Sequence, residues 1–262
     1  MIYYTTKLKH YNMEILIFAE TDDKGNLKKD AYEIASYASE ISSENGGNVN
    51  ALCFNASNAE SLSDYGVDKI INSKNEELKN FDPSNYSKCI TEVFNNEECN
   101  LLVLSSSSNS KHIGGMLSVL TDSSYVTNVI SKLTNGEKMT VVRNTFTNKA
   151  FETVEINKNK IILAISKNSF GLKEKPVKSE VVEINFNIPE SRNKVKSIDR
   201  ATNKVTIADA DIVVSGGRGL KGPENWHLVE NLAEVLGRCY SMLKACLRFR
   251  LETSRRACRT NW

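Results

Sequence analysis

MEILIFAETDDKGNLKKDAYEIASYASEISSENGGNVNALCFN, Met13 to Asn55, decides how this chain folds. Its first eight residues form an apolar run that reads as a buried strand. Ala31, Ile34, Ala35, Ala38 and Ile41 then recur at helical spacing, and Gly46-Gly47 closes that helix as a C-cap. NVNALCFN follows as a second buried strand. Strand, helix and strand in this order, with both strands apolar throughout, specify parallel pairing with helices laid over the faces.

The same rhythm runs onward. NAESLSDYG reads as a short helix, DKIINS as a strand, PSNYSKCITEVFNNEE as a helix opening near Pro83, and NLLVLSSSS as another buried strand. A helix is expected at about 110–121. MTVVRNTF, KAFETVEI and KIILAISK are separated by short turns such as Asn148 and Asn157–Asn159, which predicts an antiparallel meander at the edge of the same sheet. EVVEINFNI is one more candidate strand in a charged, Pro-punctuated stretch. The expected plan is α/β. Residues 1–12 are an extension ahead of Met13, the expected natural start; 13–188 form a parallel-sheet domain, 189–200 a linker, and 201–262 the opening of a second domain.

Bulk properties exclude several classes. The chain has 262 residues, 40% hydrophobic and 25% charged, with formal net charge +2 and mean hydropathy −0.37. No apolar run approaches the roughly 18 residues of a membrane helix, and so small a net charge argues against phosphate binding as the main task. MIYYTTKLKHYN has neither the apolar centre nor the cleavage site of a signal peptide, and no arginine for a mitochondrial presequence. Cys53, Cys89 and Cys99 are widely spaced in apolar contexts and read as buried free thiols.

ADIVVSGGRGLKGPENWHLVENLAEVLG carries the chemistry. Ile212–Val214 is a strand, Ser215 to Gly219 the turn at its carboxyl end, and about Pro223–Leu236 a helix with Leu228, Leu232, Val235 and Leu236 on one face. A glycine-rich turn between strand and helix lets backbone N–H groups approach a phosphate, and Arg218 can pair an anion or lie against a flat ring. GGRG is neither GxGxxG nor a P-loop, so a tight turn with a surface arginine is an equal alternative. SSSSNS (105–110) reads as a loop and N-cap at the sheet's carboxyl edge. His112 and His227 read as surface or capping residues. No Ser-His-Asp order, paired carboxylates or metal cluster indicates catalysis.

This segment resembles the electron transfer flavoprotein alpha-subunit family, whose pattern is V-V-S-G-G-R-G-(L/M)-K, then E-N, then L-A-x-x-L-G. The likeness continues upstream in YGVDKIINSKNEELKNFDPSNYSKCI, TFTNKAFETVEI and NSFG, covering about 13–237. The resemblance implies a first domain like that of adenine-nucleotide hydrolase-type proteins, serving heterodimer assembly with a beta subunit, and a Rossmann-like second domain holding FAD. Gly217, Arg218 and Gly219 fall on the flavin-binding turn, with Arg218 near the ring, where a cation raises the reduction potential by favouring the anionic reduced flavin. It further implies electrons taken from acyl-CoA and related dehydrogenases in fatty acid beta-oxidation and passed to a quinone oxidoreductase. The implied location is the bacterial cytoplasm, or the mitochondrial matrix in a eukaryote. Nucleic acid and membrane embedding are not expected.

From Arg238 the resemblance stops. LGRCYSMLKACLRFRLETSRRACRTNW, 236–262, holds seven Lys or Arg, one acid and three cysteines. It lacks the aromatic interleaving of a nucleic-acid arm and the CxxC pairs of a zinc site; LKACLRFRLE at most forms a short basic helix. With suitable synonymous codons, reading it from the second nucleotide gives A-T-A-C-S-K-P-V-S-D-L-D-W-R-P, then Q-E-E-H-V-G-Q-T-G, a family-like continuation. The expectation is a truncated, frame-shifted FAD domain that lacks the strands and loops enclosing isoalloxazine and pyrophosphate, leaving an open sheet edge. Two functions follow: an FAD-binding electron carrier, or a nucleotide-binding or assembly module that holds the beta subunit without flavin.

Overall fold

The structure, a computed structural model, describes residues 12–135, 138–188, 213–236 and 239–242. The chain divides into two compact units, Met1–Val195 and Lys196–Trp262. The expected extension (but for Asn12) and the expected linker lie outside the described residues.

The first unit alternates strand and helix as its apolar pattern requires. In chain order the elements are β1 (Ile15–Ala19), α1 (Lys29–Asn45), β2 (Val49–Phe54), β3 (Lys69–Ser73), α2 (Pro83–Asn96), β4 (Leu101–Ser105), α3 (Ser108–Leu120), β5 (Ser124–Val129), β6 (Thr134–Asn135), β7 (Met139–Thr145), β8 (Ala150–Ile156), β9 (Ile161–Ile165) and β10 (Glu180–Glu183). The short helix after β2 is a 3₁₀ turn, Ala59–Asp64. One ten-stranded sheet runs β10-β3-β2-β1-β4-β9-β5-β7-β6, with β8 paired to β7. From β10 to β5 every pairing is parallel.

Alternate residues of β1 serve opposite faces of this sheet. Ile15 and Ile17 join Ile34, Tyr37, Ala38 and Ile41 of α1. Leu16 and Phe18 join Ile90 and Phe94 of α2 and Ile113 and Leu117 of α3. Each such side chain, fully buried, contributes on the order of 1.5–3 kcal/mol. Asp82 caps α2 by accepting from the backbone of Ser84 and Asn85 (2.8 and 3.2 Å), just ahead of Pro83 at the first turn. Cys53, Cys89 and Cys99 are buried free thiols, as expected, and burial pushes each up to about 12.

The expected meander is half right. β7 and β8 form an antiparallel hairpin at the sheet edge, but β9 is inserted between β4 and β5, parallel to both. All five residues of IILAI are buried, and a strand apolar on both faces is satisfied only inside the sheet. β5, SYVTNV, was not expected at all; it carries one threonine, one serine and one asparagine among its six residues. At the hairpin tip Phe146 and Phe151 are 78% and 75% exposed, while the flanking charges pair within the hairpin, Arg143 with Glu152 and Lys138 with Glu155.

Two adjacent glycines of α3 have opposite surroundings. A Cβ on Gly114 would lie 2.2 Å from the Tyr125 ring, whereas one on Gly115 would meet nothing within 4 Å. Gly114→Ala is therefore expected to cost about 2 kcal/mol by overpacking, and Gly115→Ala to stabilise by about 1 kcal/mol through helix propensity. Urea unfolding of the two variants measures the difference; equal effects would refute this packing.

In the second unit β11 (Val213–Gly216) and β12 (Cys239–Met242) pair in parallel, joined through α4 (His227–Val235), which packs on both. The leucine-bearing face of the helix is its exposed one. Val229 and Ala233 are buried, while Leu228, Leu232, Val235 and Leu236 are exposed. Small and β-branched residues let the helix sit close over two strands, and the bulkier leucine stripe turns away. β12 lies at the start of the stretch read as out of step.

Candidate functional site

In a doubly wound sheet the ligand crevice lies outside the carboxyl ends of the strands where the order reverses. Here that point falls between β1 and β4, with β2 on the far side of β1. The chain's own side chains pair with one another there. Glu20, directly after β1 and only 6% exposed, pairs with Lys28 at 2.8 Å and accepts hydrogen bonds from the hydroxyls of Ser107 and Ser110. Asp30 accepts from Ser105 at 2.8 Å and pairs with Lys167 at 2.8 Å. Ser107 also caps α3, accepting from the Ser110 amide at 3.0 Å. SSSSNS is thus a loop and N-cap, as its sequence indicates, and two carboxylates stand where a phosphate would need positive charge.

The next loop is closed in the same manner. Glu33, buried on α1, accepts from the amides of Asn168, Phe170 and Gly171 at 2.9, 2.8 and 3.3 Å, and Phe170 packs edge-on against Tyr37. NSFG is a clasp that ties the chain after β9 onto α1. His112 is exposed, and His227 is exposed with Nδ1 2.7 Å from the Glu224 carbonyl; neither approaches an arrangement of catalytic groups.

The glycine-rich turn is differently built. Gly217, Arg218 and Gly219 come together at the carboxyl end of β11, with Arg218–Leu220 forming a 3₁₀ turn and Pro223–Asn225 a second. The Leu220 amide donates to the Gly217 carbonyl (3.1 Å) and the Gly222 amide to the Leu220 carbonyl (2.7 Å). Leu220, Trp226 and Val229 pack against Gly216 so closely that a Cβ there would lie 2.3, 3.0 and 3.1 Å from their atoms. Beside Gly219 there is open space: a Cβ would meet nothing within 4 Å. A ligand can therefore reach the turn's backbone, which is what a dinucleotide at a strand–turn–helix junction requires. Asn225, quoted in the E-N pattern but given no role there, donates from Nδ2 to the Leu220 carbonyl at 2.9 Å.

A parallel α/β unit followed by a parallel strand–helix–strand with a glycine-rich turn places the protein in the doubly wound α/β class. Residues 15–189 match the family model described as electron transfer flavoprotein domain, and 206–250 match the electron transfer flavoprotein FAD-binding domain. The chain belongs to the electron transfer flavoprotein family, on its alpha-subunit side. It is 24% identical to the electron transfer flavoprotein subunit alpha of Bacillus subtilis, over 86% of this chain and 70% of that protein. It is 28% identical to the subunit alpha of Thermoanaerobacterium thermosaccharolyticum, over 86% and 71%. Protein FixB of Azorhizobium caulinodans shares 55% identity over 42 residues, 16% of this chain and 11% of that protein. Among the described residues no helix is long and apolar enough to cross a membrane.

Proposed function

We propose that this chain is an electron-carrying alpha subunit that pairs with a beta subunit in the cytoplasm and contacts FAD at Gly217, Arg218 and Gly219. The observation that carries this reading is the accessible turn at the end of β11, with free space beside Gly219. FAD, when bound, supplies the electron-accepting chemistry. The chain's own part is to bring backbone amides and the Arg218 cation to an anionic, flat ligand. Electrons come from acyl-CoA and related dehydrogenases and leave to a quinone oxidoreductase, as the family resemblance implies.

The first unit serves assembly. Its ligand crevice holds Glu20 and Asp30 in place of a nucleotide, and its β7–β8 hairpin presents Phe146 and Phe151 beyond the Arg143–Glu152 pair. Exposed aromatics of this kind are favoured anchors at protein interfaces.

The out-of-step tail leaves FAD weakly held. Copurified with a beta subunit, the full chain is expected to carry well below one equivalent of FAD and to take up more on titration. A yellow complex with stoichiometric FAD overturns the deficit; no uptake at any FAD concentration overturns the flavin assignment in favour of an assembly module. Sequencing the coding DNA across Gly237–Cys239 checks the shifted frame directly.

A further inference from the structure

We propose that Asn225 is a positioning residue for the glycine-rich turn, holding its backbone in the shape that receives the flavin cofactor; this rests on the flavin reading above. The turn is a short 3₁₀ segment in which the Leu220 amide donates to the Gly217 carbonyl, and Lys221 after it takes φ +62°, a left-handed conformation that costs a non-glycine residue energy. Such a residue persists only when its surroundings over-determine it.

Two ties do so, and both meet at Leu220. Its side chain packs on Gly216 together with Trp226 and Val229, fixing the turn to β11 and the start of α4. Its carbonyl accepts from the Gly222 amide and from Asn225 Nδ2. The Gly222 bond is local and moves with the turn. The Asn225 bond reaches across five residues from the segment leading into α4, so it ties the turn's backbone to that segment where the Leu220 side chain ties it by packing. Asn225 is itself held by its amide, which donates to the Gly222 carbonyl at 3.3 Å. Aspartate offers no donor at neutral pH, and serine is too short to span the same gap; the carboxamide supplies both reach and a neutral N–H.

The test uses the full chain with its beta subunit and three forms: unchanged, Asn225→Leu, which keeps the branching at Cγ without a donor, and Asn225→Gln, which keeps the amide. Hydrogen exchange is read at the Leu220 and Gly222 amides, and FAD is titrated by its fluorescence and flavin-band circular dichroism. In Asn225→Leu both amides are expected to exchange about tenfold faster and the FAD dissociation constant to rise about tenfold, with melting of the first unit unchanged. Asn225→Gln recovers most of both. Unchanged exchange and unchanged affinity in Asn225→Leu overturn the proposal. Faster exchange with unchanged affinity overturns the link to the cofactor and leaves a structural tie. An unchanged chain that takes up no FAD sinks the flavin reading instead, and the exchange rates alone then decide whether Asn225 holds the turn.

Discussion

Gly47→Ala is expected to remove about 4 kcal/mol from the stability of the first unit. Gly47 adopts φ +95°, in the region side chains avoid, and a Cβ there would sit 2.1 Å from the carbonyl oxygen of Met13. That neighbour is backbone at the mouth of the central strand, so it cannot rotate away. The amide of Met13 donates to the Gly46 carbonyl (3.3 Å) and that of Ile15 to the Asn48 carbonyl (2.9 Å), which sets the start of the β1–β2 register at Ile15 opposite Val49. Strain at the dihedral costs about 2 kcal/mol and the forced displacement about as much again. Gly46→Ala is the control: it shares a positive φ of +80°, but the nearest atom to its Cβ is the side-chain Oδ1 of Asn12 at 3.3 Å, and the loss expected is that of the strain alone, about 2 kcal/mol. Urea unfolding followed by circular dichroism gives both values. Equal losses at the two positions would show that strain alone, and not the approach to Met13, governs this corner.

That corner was legible in the sequence as a helix stop, though not as a contact. Two consecutive glycines after an apolar-periodic segment announce the end of α1, but nothing in the letters tells that the second lies against β1. The same boundary separates what could be read elsewhere. β1, β2, β3 and β4 are apolar runs between turn residues, and the parallel sheet follows from them. β9 is equally apolar, yet its short connection from β8 mimics a hairpin; chain proximity outweighed the signal that IILAI needs cover on both faces. β5 escaped because SYVTNV owes its place to neighbours more than to its own hydrophobicity.

The site divides along similar lines. Gly217, Arg218 and Gly219 are visible as a turn because glycine clusters are rare and positional. Asn225 is not visible as a tie, since one asparagine before a helix most often suggests a cap. On α4 the larger apolar residues, read from their spacing as one face, lie on the exposed side. The structure buries Val229 and Ala233 instead, because how near a helix sits to its strands is set by small side chains. In sequence the stretch from Arg238 stands out for its seven basic residues and three cysteines, whereas Cys239–Met242 form β12: four residues without a charge, ahead of Lys244, suffice to pair with β11.

Replacing the buried carboxylate at the switch point is expected to cost nearly as much as disturbing Gly47, and for an electrostatic reason. Glu20 answers three groups at once: the Lys28 ammonium and the hydroxyls of Ser107 and Ser110, the last two among the buried polar residues. Removing an acceptor that several buried donors share leaves each of them unpaired, which costs more than the bonds themselves were worth. Glu20→Ala should lower the unfolding free energy of the first unit by about 3 kcal/mol, Ser107→Ala by about 1 kcal/mol through the lost cap, and the two losses should not add, because they break one network. Glu76→Ala, at a carboxylate whose side chain is 89% exposed, should change stability by no more than about 0.5 kcal/mol. Urea unfolding of the single variants and the double variant makes the comparison. If Glu20→Ala proves as mild as Glu76→Ala, the switch point is held by packing alone, and its buried carboxylate carries no part of the first unit's stability.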